Sequence, residues 1–189
     1  DDARSQFSAT LGEKPLRRQT FERELLLLSD RPGYTVDASQ ILPDPTDPSR
    51  FRLKLKVSIA PVGLRLFTDN RGTEANGPDQ AFGSMNFNGL FTGNDRLTAS
   101  VFVSPSNTNE LFFGEISWAS SWWGGNLAGE FGTSVTATED GTAAEFERYY
   151  SETMRSYARF TVPVIRSRAA SLWASVTVES RDSEKLQPA

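Results

Sequence analysis

The sequence predicts a mainly β chain in two parts: a short α+β segment over residues 1–60, then part of a transmembrane antiparallel β-barrel over residues 61–189. Three observations predict it. From Leu64 onward, seven segments alternate apolar and polar residues with period two, and no charge interrupts their apolar faces. The turns between segments are short at Thr92-Gly93-Asn94-Asp95, Gly124-Gly125-Asn126 and Arg166-Ser167-Arg168, and long at 69–80, 104–110 and 139–155. Residues before Ala60 carry helical spacing followed by two strand patterns.

Composition narrows the chemistry. With 38% hydrophobic and 23% charged residues the chain is neither disordered nor a helical membrane protein, and a net charge of -4 argues against nucleic acid as a partner. Without Cys or His, disulfides, thiol catalysis, classical triads and zinc sites are excluded. No cofactor, no metal and no enzymatic activity are expected. The longest aliphatic run, Leu25 to Leu28, falls far short of the ~20 residues of a membrane helix, so a membrane crossing would use strands.

In order, Asp1 to Leu11 places Phe7 and Leu11 one turn apart and predicts a short helix, stopped by Gly12 and turned by Lys14-Pro15. A second helix over about 16–29 carries Phe21, Leu25 and Leu28 as its apolar stripe, with Glu22, Arg23 and Glu24 largely outside it. Asp30-Arg31-Pro32-Gly33 ends that helix, because Pro32 cannot continue it and Gly33 tolerates the turn. Tyr34 to Leu42 and Phe51 to Ile59 read as strands around the Pro43 to Pro48 turn. In the second, Phe51, Leu53, Leu55, Val57 and Ile59 share a face against Arg52, Lys54, Lys56 and Ser58.

The seven later segments are built on Leu64 and Leu66; Ala81 to Phe91; Leu97 to Val103; Phe112 to Trp118; Leu127 to Ala137; Ala158 to Val164; and Ala170 to Val178. A soluble sandwich and a membrane barrel both produce such alternation. The turn asymmetry favours the barrel, as does a segment length near the ~9–11 residues of a tilted membrane strand. Arg65, Glu115, Glu130 and Arg159 sit mid-strand opposite the apolar faces, where a wet lumen accommodates them and a sandwich core would not. Phe91, Trp118, Trp122 and Trp123 cluster towards the short-turn ends, as an interfacial aromatic girdle would.

The order helix, helix, strand, strand, with Lys14-Pro15-Leu16, the run Phe21 to Asp30, and Arg31-Pro32-Gly33-Tyr34-Thr35-Val36, resembles the second POTRA domain of two-partner secretion (type Vb) transporters, the hemolysin secretion/activation family. The loop Asp69-Asn70-Arg71-Gly72, a short strand after that hairpin, resembles the family's signature at the start of its barrel, and Asn88 to Leu97 resembles its second strand, short turn and third strand. The resemblance implies a sixteen-stranded outer-membrane barrel with periplasmic POTRA domains. Such a protein captures an unfolded secreted exoprotein and exports it to the cell surface. A physical mechanism for that capture would pair the extended partner with the edge of the Tyr34 to Leu42 strand, with Tyr34, Val36 and Ala38 as candidate contacts and the groove beside the helix holding apolar side chains. Outer-membrane lipid is the other expected partner.

The chain departs from the family pattern in lacking a strand before the first helix and the inward-folding Val-Arg-Gly-Tyr loop, and seven strands do not close a barrel of that size. A longer polypeptide, of which these residues are the middle, is expected. A barrel-assembly insertase shares POTRA domains and a related barrel, but 21–28 and 69–72 match the secretion branch better. A diffusion porin would have no POTRA-like segment, and a membrane hydrolase would need a nucleophile and base that are not evident. A soluble sandwich binding module would offer Trp118, Trp122 and Trp123 as a ligand face.

Overall fold

A computed structural model describes Phe7 and residues 17–47, 50–139 and 149–186. One helix, α1 (Arg18–Ser29), precedes nine strands: β1 (Tyr34–Pro43), β2 (Phe51–Ile59), β3 (Val62–Asp69), β4 (Gln80–Asn88), β5 (Asp95–Val103), β6 (Leu111–Trp122), β7 (Leu127–Glu139), β8 (Tyr150–Arg166) and β9 (Ser171–Leu186). The strands form two antiparallel sheets, β1-β2 and a seven-stranded meander running β3 to β9 in chain order.

Helix α1 stops where its chemistry changes. The Asp30 and Arg31 amides donate to the carbonyls of Leu26 and Leu28 at 3.0 and 3.3 Å, after which Pro32 has no amide to offer. Gly33 then turns the chain at φ +78°, and a side chain there would come within 2.7 Å of Asn88 Cβ, so only glycine fits. Leu25 and Leu28 of α1 and Phe7 form the buried cluster on which Phe21, Tyr34, Val36, Leu53, Leu55 and Val57 pack. The apolar stripe of the helix and the dry face of β2 meet there as the spacing predicts. Most of the expected first helix lies outside the described residues; Phe7, its one described member, is helical and buried.

The seven-stranded sheet inverts the usual burial order. Leu64, Leu66, Val176 and Val178 on its apolar face are 64–70% exposed, while Ser117 and Ser134 on the opposite face are buried. Among the described residues, Tyr157 is the one buried hydrophobic of this sheet. A soluble sandwich would cover the apolar face with a second sheet; the other described sheet has two strands, β1 and β2, and its core is the Phe7 cluster. The mainly β, barrel-type architecture predicted from the alternation is the one observed.

Several boundaries differ from the sequence reading, among them the end of β6, at Trp122 rather than Trp118, and the start of β3, at Val62 rather than Leu64. Strand β4 ends at Asn88, not Phe91, because the Asp95 carboxylate accepts hydrogen bonds from the Phe91 and Thr92 amides at 3.1 and 2.8 Å and folds Gly89 to Asn94 into a turn. Strand β8 begins at Tyr150, so Tyr150 to Arg155, expected in a loop, belong to a ladder that pairs Tyr150 with Leu186. Strand β9 continues past Glu179 to Leu186 for the same reason. In both extensions the outward row turns polar, Met154 opposite Asp182 and Glu152 opposite Glu184, so apolar alternation ends before backbone pairing does.

Candidate functional site

The polar face of the seven-stranded sheet is built in cross-strand rows, because the registers hold residues of one face opposite one another. One row runs Arg65, Ser84, Ser100, Glu115, Ser134, Arg155 and Arg181. A row nearer the short turns carries Asn88, Arg96, Ala119, Glu130, Arg159 and Thr177. Arg65, Glu115, Glu130 and Arg159 thus all stand on this face. Glu130 accepts from the Tyr157 hydroxyl at 2.9 Å and from Arg159 Nη1 at 3.4 Å. Arg155 donates twice to Glu179, at 2.9 and 2.7 Å, and the Arg155 and Arg159 guanidiniums lie 4.7 and 5.7 Å from the Tyr157 ring centre. Hydroxyl pairs fill the rest, among them Ser84 with Ser100 at 3.1 Å and Thr161 with Ser175 at 3.0 Å.

A row of Phe67, Phe82, Phe102 and Phe113 crosses the long-loop end of the same face, with the Phe67 and Phe82 rings stacked at 5.1 Å. In the alternation these residues fall opposite Leu66, Gly83, Val101 and Phe112, on the polar side. The register that aligns them across four strands is a tertiary property.

The loop Asp69-Asn70-Arg71-Gly72 is shaped by its own side chains. Asp69 Oδ1 accepts from the Arg71 amide at 3.1 Å, the Gly72 amide donates to the Pro78 carbonyl at 3.0 Å, and Thr73 caps the short 3-10 turn Glu74–Asn76. Asp69 and Asn70 line an open hollow with Asp79, Gln80, Pro105 and Ser106, joining the first two long loops.

Towards the short turns, the apolar face carries stacked aromatics. Trp118 lies 6.3 Å from Trp122 and 5.9 Å from Phe131, which meets Phe160 edge-on at 5.6 Å. Trp118 Nε1 donates to the buried Asp95 carboxylate at 3.2 Å. Phe91 and Trp123, both in short turns, are exposed.

A groove of about 240 Å³ lies between α1 and β1, lined by Leu25, Leu26, Val36, Ala38 and Ser39 on its walls and by Glu22 and Arg168 at its rim. Among the described residues β1 pairs with β2 alone, so its other edge borders this groove. A bulge at Asp37 breaks the register: Val36 opposes Val57, but Ala38 opposes Lys56. Val36 and Ala38 therefore point to opposite faces, and simple alternation along the strand ends at Asp37. Tyr34 packs on the Phe7 cluster, with the Arg31 guanidinium 5.9 Å from its ring centre, and does not line the groove.

Sequence reading missed the second face of α1. Leu27, 1% exposed, packs where Gly125 of the second short turn comes close to its backbone and Cβ. Arg23 Nη2 donates to Asn126 Oδ1 at 2.9 Å and to the Pro163 carbonyl at 3.2 Å, and Arg31 Nη1 donates to Asn94 Oδ1 at 3.2 Å. Asp30 receives a two-pronged hydrogen bond from Arg166, 2.7 Å on each oxygen. The unbroken Leu25 to Leu28 run, wider than one helical stripe, was the available signal.

No helix among the described residues is long and apolar enough to cross a membrane, which says nothing of strands. No protein-family model and no curated protein matches the sequence. The structure is similar to CdiB from Escherichia coli, with a TM-score of 0.62 at 13% sequence identity, over 96% of this chain and 35% of that chain. The chain spans about a third of the length of CdiB, and what the two share is a fold.

Proposed function

We propose that this chain is part of an outer-membrane transporter of the two-partner secretion type, covering the end of a POTRA domain and the first strands of the barrel. Residues 1–60 would be a periplasmic POTRA-like module and residues 61–189 the first strands of the barrel. The observation that carries the reading is the inverted seven-stranded sheet, apolar outside and hydroxyl- and charge-lined on the other face, standing directly after a helix and hairpin. The likeness in fold to CdiB, a two-partner secretion transporter, supports it. On this reading Arg65, Glu115, Glu130 and Arg159 line the pore, and Phe91, Trp118, Trp122 and Trp123 mark the periplasmic interface of the membrane. The Asp69 to Gly72 loop shapes the first outer loop.

The unfolded exoprotein pairs as an added strand with the edge of β1 that has no strand partner among the described residues, with its side chains in the groove against Leu25, Leu26 and Val36. Main-chain pairing supplies affinity without demanding a particular cargo sequence, as an unfolded substrate requires. In the full-length protein, Val36→Pro is expected to lower capture of the exoprotein's N-terminal segment roughly tenfold while the barrel still inserts and keeps its heat-modifiable migration on gels. Undiminished capture by that variant rules out edge pairing.

A further inference from the structure

The three short turns and the end of α1 make one joint. Each short turn is held by a different side chain or backbone surface of the helix and the turn that follows it. Asn94 of the first turn is held by Arg31, Asn126 of the second by Arg23, and Arg166, where β8 enters the third, by Asp30. Leu27 packs on Gly125 in the middle. The consequence is positional. Asp30 and Pro32 lie over the short-turn end of the polar face, enclosing with Arg96, Glu130, Arg159 and Thr161 a hollow of about 230 Å³.

The covalent route reinforces this placement. The Ala60 amide donates to the Gly33 carbonyl at 3.0 Å, and Asn88 donates through its side chain to the Ala60 carbonyl at 2.7 Å and through its amide to the Pro61 carbonyl at 2.8 Å. The Gly33 turn is therefore pinned to the start of the sheet on one side and to Arg166, at the β8–β9 hairpin, on the other. The first pin is made of backbone groups and one amide side chain. The second joins the Asp30–Arg166 ion pair, whose side chains are 37% and 16% exposed so that water and salt reach it, to the Arg23 hydrogen bonds on Asn126 and Pro163 and the Leu27 contact with Gly125. One side of the joint is a hinge and the other a latch.

We propose that Asp30 and Arg166 form a releasable latch that keeps the Asp30–Gly33 turn across the base of the polar face. Its release swings the N-terminal segment about the Gly33–Ala60–Asn88 hinge and uncovers that face. The inference rests on the reading of the polar face as a pore only for what the uncovering does; the latch itself is a matter of distance between two parts of the chain.

The test uses the full-length protein in lipid bilayers with two readouts. Spin labels at Gln19→Cys on α1 and Ala169→Cys on the third short turn report the separation across the latch; residues 1–189 hold no cysteine, and any elsewhere in the full-length protein is replaced by serine. Ion conductance of the same proteins reports the pore. Asp30→Asn and Arg166→Gln are each expected to enlarge the long-distance population about fivefold and to raise conductance in step, and the exchanged pair Asp30→Arg with Arg166→Asp to restore both. Raising salt on the unaltered protein acts in the same direction, and supplies the readout if a single variant fails to insert. A label distance that neither variant nor salt changes overturns the latch. Lengthened distances with no conductance in any form, parent included, leave the latch standing and sink the transporter reading instead.

Discussion

At the scale of single residues, the hairpin turn offers a clean electrostatic case. Asp44 accepts hydrogen bonds from Arg52 Nε at 2.8 Å, from the Thr46 hydroxyl at 2.6 Å and from the Thr46 amide at 2.8 Å. Arg52 foremost, then Thr46, holds its carboxyl down at about 2, against an ordinary value of 3.8. A depressed carboxyl lends stability that is fully present above the ordinary value and is lost as pH falls towards 2. NMR titration of the Asp44 carboxyl carbon is expected to show a midpoint near that low value, and Arg52→Ala to move it back towards 3.8. A midpoint unaffected by the substitution would assign the shift to Thr46 alone. Asp95 has the analogous task at the first short turn, where one carboxylate gathers two amides, a hydroxyl and the Trp118 indole. The sequence Thr92-Gly93-Asn94-Asp95 announces a turn but not which of its polar residues closes it.

At the scale of elements, β7 and β8 are locked by a small residue facing a large one. The Tyr157 side chain lies against Gly132, where an added Cβ would sit 2.6–2.8 Å from two ring carbons and the hydroxyl oxygen. Gly132→Ala is expected to cost about 1–3 kcal/mol by overpacking, read as a lower urea midpoint in detergent micelles. The same change made on Tyr157→Ala should cost far less, since the methyl then has room; equal costs in both backgrounds would show that the ring does not press on Gly132.

The alternation made β5 and β7 readable to within about two residues, because period two and burial agree there, while β3 and β6 pair beyond their apolar alternation, to Val62 and to Trp122. It failed where they part. Tyr150 to Arg155 and Ser180 to Leu186 pair as strands beyond the apolar belt, Gly89 to Phe91 alternate without pairing, and Asp37 inserts a bulge that no spacing rule marks. The groove beside α1 was legible as an idea, from an amphipathic helix followed by a strand. Its Arg168 rim and the latch at Arg166 were not, since they join residues more than a hundred positions apart that show no local pattern.

At the scale of the whole molecule, the side on which the hydrocarbon lies decides between a membrane wall and a soluble sheet. Val176 is 67% exposed on the apolar face of β9 and Ser175 stands beside it on the polar face. In a bilayer, Val176→Arg is expected to cost about 2–4 kcal/mol in folding into lipid vesicles, whereas Ser175→Arg leaves folding close to that of the parent. At so exposed a site a water-soluble fold would register Val176→Arg at no more than about 0.5 kcal/mol, and that result would remove the membrane from the account. The seven strands have a further property as a set. Among the described residues each pairs only with its neighbours in the chain, β3 with β4 alone and β9 with β8 alone. Closing any ladder therefore requires only a neighbouring stretch of polypeptide, at small cost in loop entropy. Such a wall assembles like a zip drawn from one end: every hairpin finds its template already in place, and the order of arrival is the order of the sequence.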